Sequence, residues 1–351
     1  MKPGRLLPLV LLALPAVAAA QPAPRRLTAS EVLAAVTALE AAVEAKYFDG
    51  ERRPRVLAAL VDGRASGRYA LPDPEALAAR VTQDMVAATG DKHLSLSWRP
   101  GGSGSAVEAV RAQYWRELPR RRNYGVEELR VLPGNLRYVR IAAFPWDAEP
   151  GRRAYDGAMR FLADGDAAII DLRGNGGGNP AAVNYLASHF VPAGTLLATY
   201  RQGERTIRSV AQEVQVTSLR DRATAPPVYV LVDRRTVSAG EEFAAHAARF
   251  GFATLVGEPT AGASMRNEFV PVPPGFVASI SVGTVAHAVG GDDWEGRGIA
   301  PAVAAPSADA LTLAQAMALE TLATRGAEIY RQDWAAQAAR LRARLGAAGG
   351  E

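Results

Sequence analysis

Apolar side chains recur at helical spacing between residues 27 and 90. Leu33, Val36, Leu39 and Val43 lie three or four positions apart, the interval that gathers side chains on one face of a helix. Thr28 to Ser30 supply capping residues. Leu57 to Leu60 and Ala76 to Met85 continue the pattern, and Leu71-Pro72-Asp73-Pro74 reads as a break followed by a helix start. A small helical domain is therefore predicted over 27–100. The glycine-serine run Gly101 to Ser105 reads as a loop or a domain boundary. From about residue 122 the period changes. Leu136 to Phe144 alternates like a strand, and Asp156 to Leu162 is helical. Ala167 to Leu172 is an apolar strand that runs into glycines, and a helix follows from Pro180 to Phe190. Thr195 to Tyr200, Val228 to Val232 and Ala253 to Val256 read as strands, Ala239 to Phe250 as a helix, and Phe269 to Val285 as further strand-like runs. Strands alternating with helices imply an α/β domain with a partly parallel sheet over 122–324. Leu311 to Leu322 and Ile329 to Leu345 are helical, so residues 325–351 form a C-terminal helix and tail.

The first twenty residues stand apart. Lys2 and Arg5 precede an apolar run from Leu6 to Val17, and Ala18 to Ala20 are small. This is the layout of a cleaved signal peptide over 1–20, and the run is short of the roughly 20 residues of a membrane span. Export to a bacterial periplasm or the extracellular space is expected, with no stable membrane span after cleavage and no cysteine to carry a lipid. The whole chain has 351 residues, 48% hydrophobic and 22% charged, a composition that folds. With 40 basic and 36 acidic residues, nothing points to a nucleic-acid partner. The absence of cysteine excludes disulfides, thiolate nucleophiles and cysteine-ligated metals. The four histidines, His93, His189, His246 and His287, form no metal-binding pair, so neither metal nor cofactor is expected. Nothing in the pattern specifies an oligomeric state.

Four segments hold candidate chemistry, and each also has a plain structural reading. Ser238, in Thr236-Val-Ser-Ala-Gly-Glu-Glu242, sits between a predicted strand and a predicted helix. A hydroxyl there lies where backbone N–H groups and the helix dipole favour a developing oxyanion; Ser238 with Glu241 is equally spaced as a capping box. Asp171-Leu-Arg-Gly-Asn-Gly-Gly-Gly178 lets backbone approach a ligand closely, or makes a strand-to-helix turn. It lacks the lysine of a phosphate loop and the last glycine of a dinucleotide fingerprint. His93 in Gly90-Asp-Lys-His is a base or a structural histidine. Glu295 in Trp294-Glu-Gly-Arg-Gly is an orienting carboxylate or a surface-turn residue.

In this order the segments resemble the tail-specific or C-terminal processing serine proteases, and within them the branch typified by interphotoreceptor retinoid-binding protein and the tricorn core protease. Val256-Gly-Glu-Pro-Thr-Ala-Gly262 adds to the match, which runs from about residue 27 to about 324. The resemblance implies a crotonase-like (Clp-protease-like) α/β core, here with an N-terminal helical domain. It implies Ser238 as nucleophile, His93 as general base and Glu295 as the carboxylate orienting it, with Gly177 and the N–H of Ala239 as the oxyanion hole. The substrate is then a peptide or protein, cleaved through an acyl-enzyme. Such a triad needs only proximity in space. Many relatives use a serine–lysine dyad, but the matching position is Ala263, and no lysine follows Lys92. No segment between 100 and 165 resembles a PDZ domain. The alternative is a non-catalytic binding protein for apolar ligands or peptides on the same scaffold.

Overall fold

A computed structural model describes residues 25–99, 117–221 and 225–348; Met1 to Ala20 and Gly101 to Ser105 lie outside them. Three helices come first: α1 (Ala29–Lys46), α2 (Arg53–Ala65) and α3 (Pro74–Thr89). Thr28 caps α1, accepting the Glu31 N–H at 3.2 Å while the Glu31 carboxylate accepts the Thr28 N–H at 2.9 Å. Asp73 caps α3 ahead of Pro74, accepting the Ala76 N–H at 2.8 Å. Gly90, with φ 76°, ends α3 in the left-handed region. That reversal turns the chain into the segment carrying His93 and then β1 (Ser95–Trp98).

A six-stranded sheet forms the centre of the α/β part. Its strands are β2 (Val126–Leu132), β3 (Leu136–Ile141), β4 (Ala167–Asp171), β7 (Val228–Val232), β8 (Thr254–Gly257) and β11 (Val303–Ala304), in the spatial order β11-β8-β7-β4-β3-β2. All neighbours are parallel except β2 and β3. β4 and β7 are buried at every position, as strands covered on both faces must be. Alternate residues serve two cores. Ala168, Ile170, Val230 and Val232 pack with α4 (Ala148–Ala163), α5 (Pro180–Ala187) and α6 (Ala239–Arg249). Ala167, Ile169, Tyr229 and Leu231 pack with α7 (Ala310–Arg325) and α8 (Arg331–Ala348).

The second sheet is antiparallel, in the order β1-β10-β5-β6, with β9 also paired to β10. It contains β5 (Leu196–Gln202), β6 (Arg205–Val210), β9 (Arg266–Val272) and β10 (Phe276–His287). Phe276, Ala278 and Ile280 of β10 share one core with Leu39, Val43, Leu77 and Met85 of the three helices. Strand-period reasoning had marked neither β2 nor β6. β2 is a sheet edge with Leu129 and Val131 exposed, and β6 is another with Ile207 exposed, so neither carries clean apolar–polar alternation. α5 ends at Ala187, three residues before the predicted stop. Among the described residues no helix is long and apolar enough to cross a membrane.

Candidate active site

Ser238 lies between β7 and α6, past the carboxyl end of a buried parallel strand. Its backbone is strained: φ is 55° and ψ −119°, a region in which a side chain costs about 1–3 kcal/mol and which persists only where the surroundings enforce it. The enforcing group is Glu241. Its Oε2 accepts the Ser238 N–H at 3.0 Å and the Ala263 N–H at 2.8 Å. Its Oε1 accepts from the Thr260 hydroxyl at 2.5 Å and the Gly262 N–H at 2.6 Å. Burial raises the pKa of Glu241, and these four donors oppose the shift. The capping-box reading therefore holds as well, with Glu241 returning its carboxylate to the cap N–H. The Ser238 hydroxyl faces a histidine as well: Oγ lies 3.2 Å from Nε2 of His93, across 145 positions of sequence.

The glycine run lies beside the serine, after the neighbouring strand β4. Buried Asp171 anchors its start, accepting from the Tyr138 hydroxyl at 2.8 Å and from Arg173 Nη2 at 2.6 Å. Asn175 then organises the loop. Its Nδ2 donates to the Ile141 carbonyl at 2.8 Å and its carbonyl accepts the Val237 N–H at 3.0 Å. A Cβ on Gly177, where φ is 82°, would meet Ser238 Cβ at 2.9 Å. Only glycine allows that approach. The Gly177 N–H is not free, however: it donates to Asn175 Oδ1 at 2.8 Å. The expectation that Gly177 donates to an oxyanion meets this competing acceptor. The N–H groups of Gly178 and Ala239 make no hydrogen bond among the described residues.

His93 arrives from the helical layer. Asp91, wholly buried, accepts the His93 N–H on Oδ1 at 2.9 Å, and Lys92 ties the loop across to the Ala261 carbonyl. Burial lowers the His93 pKa, and the Asp91 charge opposes that shift. Glu295 follows β10. Its Oε2 accepts from the Ser264 N–H at 2.6 Å, the Ser264 hydroxyl at 3.1 Å and the Met265 N–H at 3.3 Å. Burial raises its pKa; Ser264 opposes this and Asp91 adds to it. The hydrogen bond expected from His93 to Glu295 is not made in this structure. His93 Nδ1 and Glu295 Oε1 are both buried and unpartnered among the described residues, while Glu295 Oε2 is held by Ser264 and Met265.

A cavity of about 100 Å³ opens at Ser238, lined among others by Gly178, Tyr200, Ala239, Glu242, Arg266 and Trp294. A larger concavity of about 610 Å³, which includes Asp166, Pro227 and Thr254, lies at the opposite, amino ends of the parallel strands and holds no nucleophile. Among the described residues no group of three or more acidic or histidine side chains is placed to hold a metal ion. His189 and His246 are buried. His246 Nδ1 lies 2.9 Å from His287 Nε2, a pairing that sequence reading had not found. Asn175, Asp91 and Glu241 were visible only as members of motifs.

The family model of peptidase family S41 matches residues 135–305, a segment holding Gly177, Ser238, Ala239 and Glu295 but not His93. Among solved structures the chain is similar in fold to a lipoprotein from Streptococcus agalactiae, with 17% identity, 84% of this chain and 98% of that chain covered, and a TM-score of 0.51. It is similar in fold also to a mutant of CPAF, with 12% identity, 79% and 93% coverage, and a TM-score of 0.53. Residues 135–305, just under half of the chain, match the model of peptidase family S41, a match that supports a serine-type peptidase acting on peptides or proteins.

Proposed function

We propose that the protein is an exported endopeptidase in which Ser238 is the nucleophile, His93 the general base and Glu295 the carboxylate that orients the base. The observation that carries this reading is the 3.2 Å approach of Ser238 Oγ to His93 Nε2. A serine hydroxyl is a weak nucleophile until a base takes its proton. His93 Nε2 removes that proton as Oγ bonds to the scissile carbonyl carbon. The oxyanion is met by the Ala239 N–H and by the glycine run that packs on Ser238. Gly177 sets the closeness of this run, and Gly178 supplies its unengaged N–H. Protonated His93 then gives its proton to the leaving amine, which frees the acyl-enzyme for attack by water. Glu295, through its unpartnered Oε1, would favour the imidazolium formed between the two steps. The helical segment 27–100 supplies the base and the core 122–324 the nucleophile, so the reaction runs where these two parts meet.

A fluorophosphonate probe tests the chemistry: it is expected to label the wild-type protein and not Ser238→Ala, and Ser238→Ala should lose peptide turnover while staying folded. Unchanged turnover by Ser238→Ala would refute the assignment. Export is tested by intact mass of the native protein, which should begin at Gln21.

A further inference from the structure

The imidazole of His93 has more carboxylate around it than a triad uses. Asp91 is wholly buried, yet only its Oδ1 is bonded, to the N–H of His93 at 2.9 Å. Its Oδ2 has no hydrogen-bond partner of good geometry among the described residues, and the same holds for His93 Nδ1, Glu295 Oε1 and the hydroxyl of Tyr47, which lies beside Asp91. A buried carboxylate oxygen without a partner is costly, and such atoms call for an explanation beyond folding. We infer that Asp91 is a positioning residue for His93: it fixes the loop that carries the base, and it supplies a second negative charge, beside that of Glu295, that stabilises the imidazolium formed during acylation.

The inference rests on the reading of His93 as the base. The other ionisable groups around the site are consistent with it. Tyr47, the cap residue after α1, faces the Asp91 carboxylate; burial first, then the Asp91 charge and the hydroxyl's approach to it, keep the phenol protonated, so it is a neutral neighbour that leaves the Asp91 charge in place. Glu241, at the start of α6, is committed to four donors. Lys92 is turned to the Ala261 carbonyl. Arg297, in the loop of Glu295, is likewise engaged with Asp292 and the Asp293 carbonyl, so neither loop sets an unengaged cation against the Asp91 charge. Of the two, Asp91 is the charge that supports the protonated state of His93 against burial.

The test is Asp91→Asn, which keeps an acceptor for the His93 N–H and removes the charge. The acid limb of kcat/KM is expected to move to lower pH by roughly one unit, the usual scale for an opposite charge at this range. In parallel, kcat should fall by up to about tenfold with KM unchanged, since one unit of basicity is worth at most one decade in rate when the base is partly protonated in the transition state. Asp91→Ser, whose hydroxyl can also accept the N–H, is the second variant. The tautomer of wild-type His93, read by ¹⁵N NMR, needs no variant: Nδ1–H is expected. A lowered Tm with an acid limb that overlays the wild type would reduce Asp91 to a structural residue and overturn the inference, as would an Nε2–H tautomer. If His93→Ala leaves turnover intact, the base assignment itself fails. If His93→Ala abolishes turnover while both Asp91 variants keep the wild-type pH profile, only the role of Asp91 fails.

Discussion

Two requirements meet at Ser238. The residue must start a helix and must also present a hydroxyl to His93, and a relaxed cap conformation serves only the first. The observed φ of 55° trades local strain for that second orientation. Gly177 is the complementary device, an absent side chain that lets the loop touch the serine. Gly177→Ala would place its Cβ 2.9 Å from Ser238 Cβ at a backbone angle that disfavours any side chain. Because the strain displaces the loop that carries the proposed Gly178 donor, peptide turnover by this variant is expected to fall at least 100-fold, the scale of losing an oxyanion donor, with much smaller change in substrate affinity. Steady-state kinetics on one peptide measures both. His93 sets a second residue-scale expectation. Burial holds its pKa below the ordinary value, and in the proposed role of base it must be neutral to act. The kcat/KM profile should therefore stay flat as pH falls through about 6.5, where an ordinary histidine would titrate, and decline only below it. A midpoint at or above that value would contradict the buried environment of the imidazole.

At the scale of elements, the site is a junction of turns. The loops after β4 and β7 lie side by side because those strands are parallel neighbours, so their carboxyl ends open on the same edge. Glu241 reaches from the first turn of α6 across to Thr260, Gly262 and Ala263, and the same stretch continues into Ser264 and Met265, which hold Glu295. One carboxylate thus links the turn of Ser238 to the stretch that holds Glu295. Glu241→Ala would leave buried donors unsatisfied, at about 1–3 kcal/mol each. Allowing for relaxation, a loss of roughly 3–5 kcal/mol of stability is expected, together with loss of activity. Urea unfolding followed by circular dichroism measures the first. A loss below 1 kcal/mol would mean that water replaces the carboxylate readily.

At the scale of the molecule, β10 joins the parts. It pairs with β1 behind the His93 loop and closes the helical core with Phe276, Ala278 and Ile280. Phe276 also meets Trp98 edge-on at 4.7 Å between ring centroids. Phe276→Ala is expected to cost about 3–5 kcal/mol and, because β1 follows His93, to lower activity even below the unfolding transition. Denaturation and kinetics on the same preparation would show whether the two losses travel together. Stability should also depend on pH. His189 and His287 are buried neutral, their pKa values lowered chiefly by burial, that of His287 to about 3. Below about 6.5 the unfolded chain binds protons that the folded chain refuses. Stability from these histidines is therefore complete above that pH and is lost progressively towards pH 3. The urea midpoint is expected to fall between pH 7.5 and 4.5, and His287→Asn should flatten that slope.

By itself the sequence determined the features that depend on short stretches of chain. β4 and β7 were legible because a strand buried on both faces must be apolar throughout, and α1 and α3 because apolar spacing and caps agree. Ser238, His93 and Glu295 could be named because each stands in a compact motif. The edges β2 and β6 were hidden, since an edge strand may expose apolar residues on either face. Tertiary structure alone decided that His93 meets Ser238 at 3.2 Å across 145 residues. It decided also that Asn175 captures the Gly177 N–H, and that Glu295 Oε1 and His93 Nδ1 are both buried with no bond between them. The reason is physical. A motif states which chemical groups are present, but distances between motifs are set by which distant side chains share a core. Here that is the packing of three N-terminal helices against a strand nearly two hundred residues later.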